Sequence, residues 1–350
     1  MKTKSINSIY SFAAIIMTML LVFSCDSDSG SDGGDSNSSD LFKITTPQVV
    51  DVVAETEAKV AMRYVPSGSF LLARTGPTMT ISKAFLMAET EITQELWQEV
   101  MGDSDNNPNP SHHQGSMRLP AEGSGDIQEK RPVEDVTWYD AIEFCNELSK
   151  KMGKEEVYTI TNIVRVKAGD QYGDYWLKSI LKATVTADFS KNGYRLPTEM
   201  EWIWAAMGAD AENEGEVNTT GYRKAYAGGP KNGYSTGINN YSWYWQNPLT
   251  DGVTHEVGKL YPNELGLYDM SGNVWEWCWD LFGLHPKENT TDYKGDASNT
   301  NGFIVIRGAA IENYPETCSI EKSRSPFTDT NTSSKGRGTC IGFRIVRAAD

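Results

Sequence analysis

The residues from Arg307 to Cys318, RGAAIENYPETC, contain one thiol in a setting where two would support chemistry. A pair of neighbouring cysteines can bind a soft metal ion or cycle between a dithiol and a disulfide. A single cysteine does neither on its own. The segment therefore raises the question of whether it is the reactive loop of an oxidase or a scaffold without catalysis.

The remaining cysteines and the histidines show no metal or redox motif. Cys145, Cys278, Cys318 and Cys340 are irregularly spaced and contain no Cys-x-x-Cys pair. In an exported protein this even number permits two disulfides, and buried free thiols are an equal alternative for Cys145 and Cys278. The four histidines include one adjacent pair but lack zinc-ligand spacing, so we expect them to be polar surface residues.

The composition and charge of the chain favour a globular domain that does not bind nucleic acid. Its 350 residues are 39% hydrophobic and 11% aromatic, which is enough for a substantial core. The formal net charge of -15 repels phosphate backbones, and no cluster of Lys or Arg compensates for it. Nucleic acid is therefore not expected as a partner.

The N-terminal sequence predicts export and lipid anchoring. An apolar run, IYSFAAIIMTMLLVF, is short for a membrane-spanning helix and typical of a signal peptide over residues 1–24. Cys25 then begins an acidic Gly/Ser-rich tract over residues 25–41, which cannot bury apolar surface and serves as a flexible tether. This order resembles a bacterial lipoprotein signal, which implies acylation of Cys25 and display on the cell envelope, at the outer-membrane surface. The alternative is an ordinary cleaved signal with an incidental cysteine.

Three segments carry the start and stop signals of amphipathic helices. In FLMAETEITQELWQEVMG, Thr93 precedes apolar residues at helical spacing and Gly102 follows them. The second segment, RPVEDVTWYDAIEFCNELSKKMG, can be capped by Thr137 or Asp135. The third, YRLPTEMEWIWAAMG, has a capping box between Thr198 and the glutamate three residues later. We therefore expect helices at these three places.

The rest of the chain combines short strand-like runs with long loops. Residues 42–64 alternate and are rich in β-branched types, and the Pro-Ser-Gly turn that follows predicts a hairpin-like start. Residues 155–189 mix β-branched residues with Tyr and Gly and give no clear prediction. The pattern as a whole predicts an α+β domain over residues 42–350 whose long loops are held by aromatic packing.

Six motifs in a fixed order resemble the sulfatase-modifying-factor family, which includes formylglycine-generating enzyme. They are MAETEITQELWQEVMG, RPVEDVTWYDAIEFCNELSKKMG, YRLPTEMEWIWAAMG, GLYDMSGNVWEWCWD, IRG and GFRIVR, between Met62 and Arg347. The resemblance implies an elaborated C-type-lectin-like fold, whereas residue spacing alone indicates α+β with long loops. Trp202, Trp275 and Trp277 of these motifs are interpreted as core residues.

The resemblance also implies a candidate calcium site. In the family a loop of the form N-x-x-G-N-x-W-E wraps calcium with side-chain and main-chain oxygens, and DMSGNVWE is similar to it. The corresponding ligands are Asp269, the carbonyls of Gly272 and Val274, and Glu276, a set of hard oxygen donors that suits Ca²⁺. Asp replaces the family's Asn at the first position and still supplies oxygen. The alternative is a turn held by hydrogen bonds without a cation.

The register of the final loop argues against the family's oxidase chemistry. In catalytic members an R-G-G-S sequence leads to a reactive cysteine, a second cysteine follows five positions later, and the two thiolates bind copper(I). Counting from Arg307, the first position is Asn313 and the second is Cys318. Copper is therefore not expected, and Cys318 is interpreted as structural, with a disulfide to Cys340 permitted by export. The alternative is an oxidase that acts on a cysteine of a protein substrate, with Cys318 as its catalytic residue.

The loss of family residues between the two anchor motifs favours a recognition role. The chain resembles retroelement-diversified surface lipoproteins of the Treponema variable protein type, which vary between an RG-type and a GFR-type anchor. We interpret residues 307–344 as a candidate variable region, of which about 309–340 binds an unidentified protein or glycan at the cell surface. The expected ligand-binding residues are Ala309, Ala310, Ile311, Asn313, Tyr314, Ser325, Phe327, Thr328, Asp329 and Asn331.

Overall fold

Each α-helix in the described part of the chain begins at a threonine that the sequence indicates. The computed structural model contains α-helices over Gln94–Met101 (α1), Trp138–Lys151 (α2) and Glu199–Ala206 (α3). The hydroxyl oxygens of Thr93, Thr137 and Thr198 each accept a hydrogen bond from a backbone amide of the first turn. The last two form capping boxes with Asp140 and Glu201. The three predicted helices are confirmed.

The structure describes residues 48–349 except for 53–58, 74, 103–108, 115–124, 168–177, 210–216, 231–235, 250–251, 296–301 and 323–336. The predicted signal peptide, Cys25 and the tether lie outside these residues. Among the described helices, none has both the length and the apolar character needed to cross a membrane.

The strands are short and form several small sheets. Their bounds are Gln48–Val52 (β1), Lys59–Val65 (β2), Gly68–Leu71 (β3), Thr78–Ile81 (β4), Phe85–Ala88 (β5), Tyr158–Arg165 (β6), Ile180–Ala187 (β7), Val217–Asn218 (β8), Trp275–Leu281 (β9), Thr290–Thr291 (β10), Ile304–Arg307 (β11), Ile341–Gly342 (β12) and Val346–Ala348 (β13). The strand orders are β1-β2-β5-β13, β10-β4-β3-β8, β11-β9-β12 and β6-β7. The predicted α+β class is confirmed.

The first hairpin is formed by β1 and β2, not by the two runs around the Pro-Ser-Gly turn. β2 pairs antiparallel with β1 and β5, whereas β3 pairs with β4 in a different sheet. The prediction of a hairpin at that turn is wrong because the turn transfers the chain between two sheets. A Cβ at Gly68 would lie 2.4 Å from the ring of Trp204, so glycine permits α3 to pack closely over the start of β3.

The sheet β1-β2-β5-β13 separates two hydrophobic clusters. Successive side chains of a strand point to opposite faces, and β5 uses both faces. Leu86 and Ala88 join the cluster that includes α1 and α2, whereas Phe85 and Met87 join the cluster that includes α3. All four residues are buried, so this strand lies at the centre of the molecule's core.

Residues 155–189, where the residue pattern predicts no clear element, contain an antiparallel hairpin of β6 and β7. Asn146 of α2 holds its start, because the amide Nδ2 donates to the carbonyl of Tyr158 at 2.8 Å and Oδ1 accepts from the Tyr158 N–H at 3.1 Å. The side chains of β7 alternate between half-buried and exposed after Ile180, as expected for a strand with one solvated face.

Candidate functional site

The candidate variable region is held at both ends by one strand. β11 pairs antiparallel with β9 and β12 pairs parallel with it, on opposite sides. Arg307 at the end of β11 and Gly342 in β12 pair with the same residue of β9, Glu276. The two anchor motifs of the sequence are therefore neighbours in one three-stranded sheet.

The first anchor, Arg307, is fixed by a buried ion pair with α3. Its Nε donates to Oε1 of Glu199 at 3.0 Å, Nη2 donates to the same oxygen, and Nη1 donates to the carbonyl of Ile320 at 2.9 Å. Burial alone would raise the pKa of Glu199, but Arg307 and His285 outweigh it and lower that pKa to about 2. The carboxylate therefore stays ionised across the neutral range and holds the end of β11 on α3.

The second anchor, Arg344, forms a bidentate pair with Glu276 of β9. Both side chains are fully buried, and the Nε–Oε2 and Nη2–Oε1 distances are 2.7 Å. The indole N–H of Trp202 donates to Oε2 of Glu276 at 2.7 Å. Trp202, Trp275 and Trp277 are all buried, so their predicted role as core residues is confirmed.

The two carboxylates among the four predicted calcium ligands already accept hydrogen bonds from the protein. Both carboxylate oxygens of Glu276 accept from Arg344 or Trp202, so protein donors already contact them in this structure. Asp269 accepts from the N–H of Gly258 through Oδ2 at 2.7 Å, and among the described residues its buried Oδ1 has no hydrogen-bond partner. One such oxygen beside a guanidinium falls short of the roughly six to eight oxygens that Ca²⁺ takes. The two carboxylates alone therefore do not supply a calcium cage in this structure, and the calcium site stays a prediction.

Gly272 and Val274 serve the backbone of this loop. The N–H of Gly272 donates to the carbonyl of Gly308 at 2.8 Å, and the N–H of Val274 donates to Oε1 of Glu91 at 3.1 Å. With a φ of 88°, Gly272 is left-handed, and a Cβ there would lie 2.2 Å from the carbonyl oxygen of Trp243. This turn is therefore joined by backbone hydrogen bonds to Gly308 and to the side chain of Glu91. The described residues include no group of three or more His, Cys, Asp or Glu that could hold a metal.

Asn313 closes a tight turn at the position of the family's first cysteine. Its Oδ1 accepts from the N–H of Ala310 at 2.8 Å, its N–H donates to the carbonyl of Ala310 at 2.9 Å, and its carbonyl accepts from the N–H of Trp245 at 3.0 Å. The side chains of Ala309, Ala310 and Ile311 are buried in the core. The turn directs these three side chains into the core, so they are not part of the exposed surface, and their contact with a ligand stays a prediction.

Cys318 is a buried thiol. Its residue is 1% exposed, and its Sγ lies 3.4 Å from Oγ of Ser242. Burial raises the pKa of Cys318 to about 12, so little thiolate forms at neutral pH. The disulfide to Cys340 that export would permit is not formed in this structure, where the four described cysteines are free and Cys318 faces Ser242. Cys145 and Cys278 are buried free thiols, one of the two alternatives open from the sequence.

Three large side chains around the Asn313 turn face solvent. Tyr314 is 59% exposed, Trp245 is 57% exposed and Leu249 is 66% exposed. The bond from Trp245 to Asn313 joins their two loops, and Asn247 braces the second loop by donating to its backbone at 2.7 Å. Large apolar groups exposed on well-held loops are typical of interaction sites. We call Trp245, Leu249 and Tyr314 the apolar rim.

The sequence predicted only part of this surface. Tyr314 is among the predicted ligand-binding residues, whereas Trp245 and Leu249 lie in a long loop whose aromatic residues the sequence pattern assigns to packing. The available signal was the sequence WQNPL, in which Trp245 and Leu249 flank polar turn residues. Of the other predicted ligand-binding residues, five lie outside the described residues, namely Ser325, Phe327, Thr328, Asp329 and Asn331.

Two histidines are buried, so the prediction that all four are surface residues is wrong. Nδ1 of His113 lies 3.4 Å from Oε1 of Glu134, and Nδ1 of His255 lies 2.7 Å from Oδ2 of Asp126. The ring of His255 also stacks on Trp243, with a centroid distance of 3.9 Å. Each buried histidine contacts a buried carboxylate that is distant in sequence. The spacing between the histidines does not reveal such partners, so it could not predict their burial.

The geometry agrees with a comparison to known protein families. Residues 50–349 match the sulfatase-modifying factor enzyme 1-like domain, and the chain belongs to this family. The formylglycine-generating enzyme of Streptomyces coelicolor is 32% identical over 165 residues, which cover 45% of this chain and 48% of that enzyme. The predicted family and its formylglycine-generating-enzyme-like fold are confirmed, and the match to this enzyme spans about half of either protein.

Further relatives match a larger part of the chain. Chaperone protein LppX of Paenibacillus barcinonensis is 34% identical over 279 residues, which cover 75% of this chain and 80% of that protein. The structure of Treponema denticola variable protein 1 is 33% identical with a TM-score of 0.64, covers 86% of this chain and 99% of its own, and confirms the predicted resemblance. The structure of CarF, at 22% identity and a TM-score of 0.55, covers 83% of this chain and 99% of its own and shares the fold. These relatives share the family's domain over most of the chain.

Proposed function

We propose that this chain is a non-catalytic binding module, displayed on the bacterial envelope, that recognises a protein or glycan through the region between its anchors and the adjoining apolar rim. The observation that carries the proposal is the turn at Asn313. Asn313, whose side-chain amide accepts a hydrogen bond within the turn, occupies the position of the family's reactive cysteine. Cys318 is buried, and its pKa is raised. The same turn places Tyr314 and Trp245 at the surface.

The apolar rim has the features of a recognition surface. Tyr and Trp supply large contact areas at low conformational-entropy cost and dominate the energetics of many interfaces. Glu312 and Glu316 lie exposed on either side of Tyr314 in the chain and add negative charge next to this member of the rim. This arrangement favours a partner with an apolar or sugar-ring face bordered by neutral or basic groups.

Binding is tested with the purified protein on a printed array of bacterial and host glycans and surface-protein ectodomains. The double variant W245A/Y314A removes the two aromatic contacts, and we expect it to reduce the strongest signals by about tenfold or more. The matched control, Y261A/L284A, removes two exposed side chains elsewhere. An equal effect of both double variants, or an absence of specific signal for the wild type, contradicts the proposal.

The absence of oxidase activity is tested with a cysteine-containing sulfatase peptide. We expect the wild-type protein to leave the peptide cysteine unchanged by mass spectrometry when copper and oxygen are present, while a formylglycine-generating enzyme converts it in parallel. The variant N313C restores both cysteine positions of the family pair and shows whether the loop can bind copper(I). Formylglycine produced by the wild type would return the chain to the oxidase alternative.

The proposed display on the envelope rests on Cys25 and the tether that follows it. One acyl chain gives marginal membrane affinity, whereas the several chains of a bacterial lipoprotein give stable anchoring. Cells grown with an alkyne fatty acid should yield labelled wild-type protein and unlabelled C25S protein. Label that persists on C25S, or none on the wild type, contradicts lipid anchoring.

We propose further that the region between the anchors is diversified by a retroelement. The support is the resemblance to variable proteins and the two anchors that fix its ends on β9. A near-copy of the codons for residues 309–340, differing mainly at adenines and adjacent to a reverse-transcriptase gene, is the expected genomic arrangement. Isolates that lack such a copy and share an identical segment would instead indicate a fixed binding module.

A further inference from the structure

A cavity of about 560 Å³ lies at the start of α3, where side chains of Ile81 in β4, Phe85 in β5 and Thr198 at the α3 cap meet. Its volume falls in the range of pockets that bind small molecules. It shares no residue with the Asn313 turn, the apolar rim or the two anchors. The cavity is therefore a separate candidate site.

The two acids that line the cavity already have partners. Both oxygens of Glu201 accept from the guanidinium of Arg195, at 2.6 and 2.7 Å. Asp292 accepts from the N–H of Ser82 at 2.8 Å through one oxygen and from its hydroxyl through the other. These contacts offset the charge of Glu201 and occupy the oxygens of Asp292.

The two lysines that line the cavity differ from its two acids in their contacts. Lys83 and Lys294 are exposed, and neither forms an ion pair with a carboxylate among the described residues. Nζ of Lys294 lies 4.7 Å from the ring centroid of Phe189, and Cζ of Arg195 lies 4.9 Å from the same centroid. In a chain of net charge -15, this cavity is lined by two exposed lysines, one of which, Lys294, lies beside an aromatic ring.

We infer that this cavity binds a small organic anion, whose carboxylate or phosphate contacts Lys83 and Lys294 and whose ring or apolar body packs against Phe189 and Ile81. Lysine ammonium groups pair with either kind of anion as compact point charges. The aromatic and aliphatic lining supplies apolar contact area, and the few charged groups orient the ligand. This inference is independent of the proposed function because it uses different residues.

The test compares probes that share one ring system. The full mature chain is titrated by calorimetry with 1-naphthylacetate, 1-naphthyl phosphate and the neutral 1-naphthylacetamide. We expect at least one of the two anions to bind about tenfold or more tightly than the amide, and K83A/K294A to remove that advantage. The control K59A/K151A deletes two exposed lysines elsewhere and should leave every affinity unchanged. The preferred anion identifies the ligand class as carboxylate or phosphate.

Three results would overturn the inference. They are equal affinity for the anions and the amide, an anion affinity that survives K83A/K294A, and no binding of either anion at millimolar concentration. W245A/Y314A should leave the affinity for naphthyl anions unchanged, since the two sites share no residue. Failure here therefore leaves the proposed recognition surface intact, and failure of that surface leaves this cavity intact.

Discussion

Cys318 lies five residues beyond Asn313 and contacts Ser242, and its burial has a direct chemical consequence. Alkylation requires both access and thiolate, and burial of Cys318 removes the first and raises the pKa to about 12. Cys145 and Cys278 are also buried with raised pKa values. We expect iodoacetamide at pH 8 to leave these three thiols unmodified in the native protein and to modify all of them in urea, as read by peptide mass spectrometry. Rapid native labelling of Cys318 would show an accessible thiol and strengthen the oxidase alternative.

Asp269 makes stability depend on pH in a predictable direction. Burial raises the pKa of Asp269 to about 6 from its ordinary 3.8, so between these values the native state holds a proton that the unfolded state has lost. This contribution therefore falls as pH rises through the window from about 4 to 6 and stays absent above it. D269N restores the family's residue, suits the left-handed backbone at φ 55° and cannot ionise.

We expect D269N to unfold at higher urea concentration than the wild type at pH 7, with the difference vanishing toward pH 4. The gain at pH 7 should be about 3 kcal/mol, from a shift of about two pKa units. E288Q, which neutralises an exposed carboxylate, is the control and should show no such trend. Parallel stability curves for D269N and the wild type between pH 4 and 7 would contradict the assignment.

At the scale of elements, each capping box is formed by residues at one helix start, so its loss should lower the free energy of unfolding only modestly. Thr198 accepts from the N–H of Glu201 at 3.2 Å, and Glu201 accepts from the Thr198 N–H at 2.9 Å. T198A removes the hydroxyl and should lower the free energy of unfolding by about 1 kcal/mol, whereas T198S keeps the oxygen and should change it little. Urea denaturation measures both variants, and equal losses would show that the methyl group matters instead of the cap.

The elements that the sequence predicted are those set by local signals. Thr137 and Thr198 each stand next to the residues they cap, so the starts of α2 and α3 are evident within a few positions. Strand pairing depends on residues far apart in the chain, as when β13 pairs with β5. Local patterns therefore missed the β6-β7 hairpin and assigned the Pro-Ser-Gly turn to the wrong pairing.

In the candidate site, too, the sequence predicts features that depend on neighbouring residues and misses those that depend on contacts between distant residues. Asn313 and Cys318 could be placed by counting from Arg307, because that register is local. The burial of Ala310 and the exposure of Trp245 depend on how loops that are far apart in sequence fold against each other. Residue type alone favours the opposite arrangement for Trp245, since tryptophan is usually well buried.

At the scale of the whole molecule, the shared central sheet should couple the two hydrophobic clusters. Met62 of β2 belongs to one cluster and Met87 of β5 to the other, and both are fully buried on adjacent strands. We expect one cooperative unfolding transition, coincident by far-ultraviolet circular dichroism and tryptophan fluorescence. M62A and M87A should each lower its stability by about 2 to 5 kcal/mol. Separate transitions for the two probes, or a variant that shifts only one of them, would show independent units.

Arg307 and Gly342 are both paired with Glu276, and this arrangement bears on how the molecule can change over evolutionary time. Adjacent strands are about 4.8 Å apart, so the two ends of the intervening segment are held roughly 10 Å apart by β9. The entropy of closing a loop between fixed ends grows only with the logarithm of its length, about 0.6 kcal/mol per doubling. Lengthening this segment therefore destabilises the folded state only slightly, and the fold can accept residues inserted between the two anchors. The surface that this region offers to a partner can therefore grow by insertion as readily as it can change by substitution of single side chains.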